Sequence, residues 1–403
     1  MFAALTVPNF RRYVAGQSLS LIGTWVETVA QALLVLRLTH SGLLLGLTTA
    51  ARFAPILVFS PYAGLIVDRF SKRTILLVTQ AGLACVSLLL GLAVLLHEVT
   101  LWQVFVLAIA FGLLSAVDNP ARQAFVSEVV GGSLVRNAVT FNSTSVNVAR
   151  VIGPTIAAAV VAGVGIGWCF IINAASFLFV IASLLTLDRA QLHPTAPEPR
   201  SRGQVRAGLR YAAGIPEIIR PLLMMAVIGT FTFEFEVSLP LLARDTFHGG
   251  ATAYGILLGA FGVGAVLSGA YSAATAQTGV SRLARAALAY AVAMGVLAIM
   301  PGLATAAVAC ALVGAATIAF LTTGNSTVQL AADPHYKGRV MSLWSTALVG
   351  NTAIGAPIVG ATAQLTNPRC GIALGAIACL IAAVIGWWPS PSKATGAPAV
   401  MLS

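Results

Sequence analysis

Charged side chains are scarce in this sequence of 403 residues. Asp, Glu, Lys and Arg make up 9% of it and hydrophobic residues 58%, and the mean hydropathy is +0.91. An average soluble chain carries roughly 25% charged residues, so this composition excludes a soluble globular protein. The apolar runs are near the roughly twenty residues that a membrane helix requires, whereas a membrane β-strand needs about ten. The composition therefore predicts an all-α membrane protein.

Patterns for metals, cofactors and ATP are also lacking. The five Cys are scattered through apolar segments without a CxxC pair, and the five His fall singly in predicted loops. Neither arrangement indicates a metal site or a disulfide framework. Neither GxxxxGKS nor GxxxxGKT is present, which argues against ATP as an energy source. We expect no cofactor and no enzymatic activity.

The charges that are present are mostly positive, with a net charge of +11. In a soluble protein this excess would suggest nucleic acid, but Lys and Arg also accumulate in the cytoplasmic loops of membrane proteins. The second explanation is sufficient here, and no nucleic-acid partner is expected.

Twelve apolar spans are predicted, and an even number places both termini on one side of the membrane. The spans cover roughly 13–37, 43–67, 74–96, 100–118, 138–162, 168–187, 219–243, 252–276, 283–301, 303–327, 340–364 and 371–388. If the termini are cytoplasmic, the outer loops hold only Arg37, Arg244 and Arg369. Arg52 and Arg150 fall inside spans, which leaves 18 of the 23 bases on the inner side. This bias predicts an N-in, C-in orientation in a bacterial inner membrane.

The longest connection, about 188 to 219, divides the spans six plus six. The predicted domains are an N-terminal bundle (1–188), a cytoplasmic linker (189–218), a C-terminal bundle (219–389) and a cytoplasmic tail (390–403). Within the linker, Arg202, Arg206 and Arg210 are four residues apart and share one face of a short helix. Such a basic face suits anionic lipid headgroups.

The two halves repeat each other at offsets of 203 to 207 residues. Ile22-Gly-Thr-Trp25 recurs as Ile228-Gly-Thr-Phe231, Leu36-Arg-Leu-Thr39 as Ala243-Arg-Asp-Thr246, and Arg136 with Pro154 as Arg339 with Pro357. Several matches at similar offsets indicate a duplicated six-helix unit. Transporters built this way have a pseudo-two-fold axis along the membrane normal and a substrate site between the halves.

A charged turn between spans 2 and 3 carries a resemblance to a known family. The turn contains Gly64, Asp68, Arg69, Lys72 and Arg73, with Ser71 where a glycine is usual. This pattern resembles the signature loop of the major facilitator superfamily. The segments 118–125, 142–154 and 338–342 are similar to its 12-helix branch of drug and siderophore exporters, which includes enterobactin and macrolide efflux proteins.

The resemblance implies a cytoplasmic gate at this turn. Asp68 ends span 2, where the helix dipole disfavours a negative charge, so it needs a partner. The candidates are Arg69, Lys72, Arg122 and the start of span 11 near Arg339. A contact with span 11 would tie the halves together and favour the outward-open state, and Asp118 could take over the freed base. The alternative is that these residues only set the topology.

Five ionisable residues fall inside spans: Glu27, Arg52, Arg150, Glu234 and Glu236. Each costs at least ~2.5–3.5 kcal/mol on insertion scales and is therefore a functional candidate. Glu27 and Arg52 lie almost symmetrically about the turn at Thr39–His40. Glu27 is thus either a proton-coupling or cation-binding group, or a structural partner of Arg52. With three acids and two bases, we expect at least one carboxyl group to be protonated in some state.

Two further groups complete the candidate substrate site. On span 5, Arg150 either binds an acidic substrate group or pairs with Glu234, and Asn147 lies near the same face. Aromatic side chains near the carboxylates would suit an amphipathic ligand, although contact with lipid or core is the alternative for each. These cavity candidates are Trp25, Phe231 and Phe235.

These observations predict a secondary transporter that works by alternating access. The expected task is proton-coupled export of an amphipathic small molecule such as a drug or siderophore. The alternatives are a lysophospholipid or lipid flippase and a proton-coupled importer. The expected partners are the bilayer, a small-molecule substrate and protons, and the chain is expected to be a monomer.

Overall fold

The computed structural model describes residues 2–193, 204–275, 278–333, 336–349 and 351–388, and this part of the chain is helical throughout. Its α-helices are α1 Pro8–Thr39, α2 Gly42–Arg69, α3 Lys72–Leu95, α4 Leu101–Val130, α5 Val135–Gly163, α6 Ile166–Leu185, α7 Gln204–Ala213, α8 Pro216–Phe231, α9 Phe235–Leu241, α10 Gly250–Thr275, α11 Val280–Ile299, α12 Leu303–Ala331, α13 Lys337–Val349, α14 Thr352–Leu365 and α15 Pro368–Trp387. Short 3-10 helices cover Phe2–Thr6, Gly132–Leu134 and Arg189–Gln191, and a π-helical turn covers Leu242–Thr246.

Within the described residues, twelve stretches are long and apolar enough to cross a membrane, which confirms the twelve predicted spans. Two of them are composite: α8, α9 and the π-helical turn form span 7, and α13 with α14 form span 11. We call the end of the molecule with the α1–α2 turn the outer end, and the end with the α2–α3 turn the inner end.

Local sequence signals end and restart the helices at the turns. His40 adopts a left-handed conformation (φ 53°) and ends α1, and Ser41 caps α2 by accepting a hydrogen bond from the Leu44 amide. Ser71, which replaces the glycine usual in the family signature, is the N-cap of α3 and accepts from the Thr74 amide at 3.1 Å. The departure from the signature is therefore accommodated by a capping serine.

Two predicted spans differ from the structure. Span 4 was expected to end at 118, but α4 continues to Val130, so Asp118 and Arg122 lie inside a helix. Span 7 was expected to be continuous, but it is interrupted between Phe231 and Phe235. Its Thr232 hydroxyl bonds the Ile228 carbonyl oxygen at 2.6 Å, and Pro240 cannot donate to the preceding turn.

The helices pack as two related sets. In the first half, α1 packs on α5 and α6, α2 on α4, and α3 on α4 and α6. In the second half, α10 packs on α12, α11 on α12 and α15, and α8 on α15. The halves meet along α2 with α14 and α5 with α10, two pairings that the internal repeat makes equivalent.

Candidate functional site

The two halves touch closely at the outer end, because small residues line both contacts. A side chain at Gly46 would meet the backbone of Ala356 and Pro357, and one at Gly360 would meet the Gly42 carbonyl oxygen. At the second contact, a side chain at Gly255 would lie 3.1 Å from the Pro154 carbonyl oxygen. Glycine at these positions allows the helices to approach within backbone contact.

Hydrogen bonds between the halves reinforce this outer closure. Gln364 accepts from the Ser41 hydroxyl at 2.6 Å and from the Leu43 amide at 2.9 Å. Arg244 in turn donates to the carbonyl oxygens of Leu36 at 3.3 Å and His40 at 3.4 Å, at the C-terminal end of α1. A cation there complements the helix dipole.

The same helices separate toward the inner end. On α5, the face that packs on α10 through Val151 and Pro154 continues to Thr144 and Thr140, which are exposed. On α13, the hydroxyl residues Ser342, Ser345 and Thr346 are likewise exposed. Polar side chains inside membrane-spanning helices normally face a protein interior or a water-filled cavity. The molecule is thus closed at its outer end and opens toward its inner end.

Arg52 is held by polar neighbours on α1 and does not pair with Glu27. Its guanidinium donates to Gln31 Oε1 at 3.0 Å and approaches the Thr28 hydroxyl at 3.5 Å. It also lies 4.1 Å from the centroid of the Phe111 ring. The alternative in which Glu27 is a structural partner of Arg52 is therefore not realised in this conformation, because Glu27 bonds Ser87 and Asn173 instead.

Glu27 is locked inside the N-terminal half. Its Oε2 accepts hydrogen bonds from the Ser87 hydroxyl on α3 at 2.5 Å and from Asn173 Nδ2 on α6 at 2.6 Å. The side chain is buried, as are both donors. Gly23 permits this contact, since a side chain there would collide with Ser176 and Asn173.

Arg150 faces the central region over an aromatic wall. Its guanidinium lies 5.2 Å from the centroid of the Trp25 ring, and its Nε is buried without an acceptor among the described residues. Neither carboxyl oxygen of Glu234 has a hydrogen-bond partner among the described residues, so the alternative of an Arg150–Glu234 pair is not realised in this conformation. The acid whose charge acts on Arg150 is Glu236, two residues further along span 7.

Glu236 interacts electrostatically with both arginines. The charges of Arg52 and Arg150 both act on it, yet no ion pair within 4.0 Å joins it to either among the described residues. Glu236, Arg52, Thr28 and Gln31 line a cavity of about 10 Å³, room for about one water molecule. One acid of the C-terminal half thus faces two bases of the N-terminal half across a gap.

Glu234 is buried at the break in span 7, with 2% of its surface exposed. Neither carboxyl oxygen has a hydrogen-bond partner within the described residues, although the Thr352 side chain lies beside it. Gly355 on α14 makes room for this carboxyl group, since a side chain there would lie 2.9 Å from Oε1. A buried carboxyl group without donors is costly when ionised.

The remaining predicted cavity residues differ in their burial and in their contacts. Phe235 is nearly buried and contacts Phe261 at 4.5 Å between ring centroids, so it belongs to the core and not to a substrate cavity. Phe231 and Trp25 are half-buried. Asn147 donates to the Ser143 carbonyl oxygen of its own helix at 3.0 Å.

The predicted inner gate residues have partners within the N-terminal half. Asp118 is fully buried, pairs with Arg122, and accepts from Thr79 at 2.7 Å and Gln80 at 2.9 Å. Asp118 thus lies inside a helix with its hydrogen-bond partners in place. It does not lie at a helix end with a free carboxylate that could accept another base. Arg122, a candidate partner of Asp68, is paired with Asp118 of its own helix.

Lys72, another candidate partner of Asp68, instead pairs with Glu128 on α4 at 2.8 Å. Arg73 donates to the Leu184 carbonyl oxygen at 2.8 Å, and Arg69 is exposed. Arg339 lies 5.1 Å from the Tyr336 ring in its own half. The structure does not describe the surroundings of Gly64 or the side chain of Asp68.

Part of the predicted linker lies within the described residues. The short helix α7 lies where the basic helix was expected, and Arg210 on it is exposed. Arg202, the side chain of Arg206 and the tail beyond 388 lie outside the described residues.

Several site residues were not foreseen from the sequence. They are neutral or lie in segments that were read as loops: Gln31, Ser87, Asn173 and Glu128. Polar residues in apolar spans were the available signal for the first three. Across the described residues, no group of three His, Cys, Asp or Glu side chains is placed to hold a metal ion.

Comparison with known proteins identifies a family and relatives that resemble this chain. The family model described as transmembrane secretion effector matches residues 1–393. The staphyloferrin A transporter of Staphylococcus aureus is 27% identical over 262 residues, which is 64% of this chain and 64% of that protein. The enterobactin exporter EntS of Shigella boydii is 24% identical over 385 residues, with 94% of this chain and 91% of that protein covered.

Solved structures share the fold at low sequence identity. A bacterial homologue of the human lysosomal transporter Spinster, inward-facing and occupied, superposes with a TM-score of 0.72 at 16% identity over 94% of this chain and 95% of that chain. The nucleoside transporter NupG superposes with a TM-score of 0.70 at 14% identity over 95% of this chain and 96% of that chain.

Proposed function

The chain belongs to the transmembrane secretion effectors of the major facilitator superfamily, and we propose that it exports an amphipathic small molecule in exchange for protons. It is a multi-pass membrane transporter and not an enzyme. The relatives named as exporters of enterobactin, at about 25% identity, support a siderophore-like substrate for it. We place it in a bacterial inner membrane, with its inner end in the cytoplasm.

The observation that carries proton coupling is the isolation of Glu234. A carboxyl group that is buried without a hydrogen-bond donor is stabilised as the neutral acid. In this conformation Glu234 therefore holds a proton. It sits at the break in span 7, where a small rotation of α9 against α8 changes its surroundings.

The cycle follows from the two ends of the molecule. Residues 1–188 and 219–389 rock as two bodies about the contacts of α2 with α14 and α5 with α10. Opening the outer end breaks the Arg244 and Gln364 hydrogen bonds and admits a proton to Glu234. Return to the present conformation brings the protonated Glu234 to the side open toward the inner end, where binding of the exported molecule displaces the proton. One charge moving through 100 mV supplies ~2.3 kcal/mol.

In the outward-open state, a contact between the halves closes the inner end. When the inner end shuts, Asp68 meets the start of α13 near Arg339, as the signature loop implies. The network of Asp118 with Arg122 and the Lys72–Glu128 pair keep the inner ends of α3 and α4 rigid while α2 moves.

The experiment is uptake of labelled enterobactin into inverted membrane vesicles energised by respiration. Export predicts accumulation inside inverted vesicles that an uncoupler abolishes and that vesicles without the protein do not show. Accumulation only in right-side-out vesicles would overturn export in favour of import. Uptake that an uncoupler leaves unchanged would overturn proton coupling and favour a flippase.

A further inference from the structure

Arg150 is a cation whose hydrogen bonds are not used. No described residue accepts a bond from it, its Nε is buried, and its one described contact is with the face of Trp25. The Nε–H group is thus a buried donor without an acceptor among the described residues, and leaving such a donor unmet costs free energy. Arg150 therefore has an unsatisfied hydrogen-bond donor that a bound ligand could satisfy.

The surroundings identify the charge of that acceptor. Arg52 already bonds Gln31 and Thr28 and lies over Phe111, so its cation is fixed. The charge of Arg52 acts on both Glu27 and Glu236, and that of Arg150 acts on Glu236. No carboxylate among the described residues lies within ion-pair distance of Arg150, so its cation has no contacting anion. Glu234, Tyr254 and Tyr290 also interact electrostatically with members of this cluster.

On the basis of the export function proposed above, we propose that the transported molecule carries a planar anionic group, such as a carboxylate, that binds Arg150. The planar fork of a guanidinium matches a carboxylate with two parallel hydrogen bonds. Trp25 supplies an aromatic wall beside it for the apolar part of the molecule. Without a ligand, Glu236 is the negative charge that interacts with Arg150. The bound anion replaces Glu236 in this role.

The geometry also favours this reading over a structural ion pair. A structural pair of Arg150 with Glu236 would be in contact, whereas no ion pair within 4.0 Å joins them among the described residues. Arg150 lies on α5 and Glu236 on α9, in opposite halves. A ligand bound between them is therefore felt by both halves, as alternating access requires.

The test compares three probes that differ only in their head group: 4-butylbenzoate, 4-butylbenzamide and 4-butylbenzylammonium. Binding to the purified full-length protein is measured by titration calorimetry. We expect the benzoate to bind at least about tenfold more tightly than the other two, since a charge-assisted bidentate bond contributes that much or more. Equal affinities, or preference for the ammonium, would overturn the proposal.

Variants assign the effect to Arg150. Arg150→Gln should lower benzoate affinity about tenfold to hundredfold and remove the preference. Arg150→Lys should keep part of the preference, which shows that a loss in the Gln variant is not misfolding. Glu236→Gln should raise benzoate affinity, and Arg37→Gln, an exposed base at the outer end, should leave it unchanged. Unaltered benzoate binding in Arg150→Gln would contradict the assignment.

Transport separates this inference from the function on which it rests. Benzoate binding that depends on Arg150, without proton-driven accumulation of any substrate, would remove export and keep the anion site. Proton-driven accumulation of enterobactin that Arg150→Gln leaves intact would keep export and remove the anion site.

Discussion

Asn173 on α6 donates a hydrogen bond of 2.6 Å to the Glu27 carboxylate on α1. Together with the Ser87 hydroxyl on α3, it fixes this acid within the N-terminal half, away from the gap between the halves. Glu27 therefore joins three helices, while Glu234 has no such donors. Of the three acids that were candidates for coupling (Glu27, Glu234 and Glu236), the structure favours a packing role for Glu27.

The first prediction concerns stability at Glu27. Glu27→Ala leaves two buried donors without acceptors and should lower the free energy of unfolding by about 2–4 kcal/mol. Glu27→Gln keeps the shape and can still accept from Asn173 and meet Ser87, so it should lose less than about 1 kcal/mol. Thermal unfolding of the purified variants measures both. A Gln variant with intact stability but no pH dependence of transport would instead make Glu27 the coupling acid.

These residues illustrate which features of the fold and the site could be predicted from the sequence. Apolar run lengths and the bias of Lys and Arg predicted twelve helices, and the offsets predicted the repeat, because these properties depend on composition and order alone. The sequence left open whether Glu27 pairs with Arg52, since height in the membrane does not determine the face of a helix. The break in span 7 was missed because Thr232 acts there through local hydrogen bonding to the Ile228 carbonyl oxygen, which hydropathy does not register.

The second prediction concerns the outer closure at Arg244. Arg244→Gln removes the donors to Leu36 and His40, each worth about 1 kcal/mol, so the outward-open population should rise roughly fivefold to thirtyfold. Distances between spin labels at the outer ends of α2 and α14 report this. Arg37→Gln is the control, because Arg37 occupies the equivalent place in the repeat and is exposed. Equal distance distributions in both variants would rule out Arg244 as a closing contact.

The third prediction uses the close approach of α2 and α14. A methyl group in Gly360→Ala would meet the Gly42 carbonyl oxygen, so the outer end should fail to close and transport should fall at least about tenfold. Gly295→Ala on α11 is the control, because no atom lies within 4 Å of the added carbon. Vesicle uptake and folded yield are measured for both. Full activity in Gly360→Ala would show that this contact is not needed in the cycle.

The fourth prediction concerns the inner network. Asp118→Asn leaves Arg122 partly buried without its counter-ion and should cost about 2–3 kcal/mol of stability. Adding Arg122→Gln removes the unpaired charge and should recover part of the loss. A double-mutant cycle of thermal unfolding tests this coupling. Strictly additive losses would mean that the two side chains do not stabilise each other.

The most direct test of the account is the protonation of Glu234 itself. Infrared difference spectra of the reconstituted protein at neutral pH should contain the carbonyl-stretch band of a protonated carboxyl group. That band should vanish in Glu234→Gln and persist in Glu98→Gln, which removes an exposed acid of the α3–α4 loop. A spectrum that Glu234→Gln leaves unchanged would show that Glu234 is not the proton carrier and would contradict the proposed coupling.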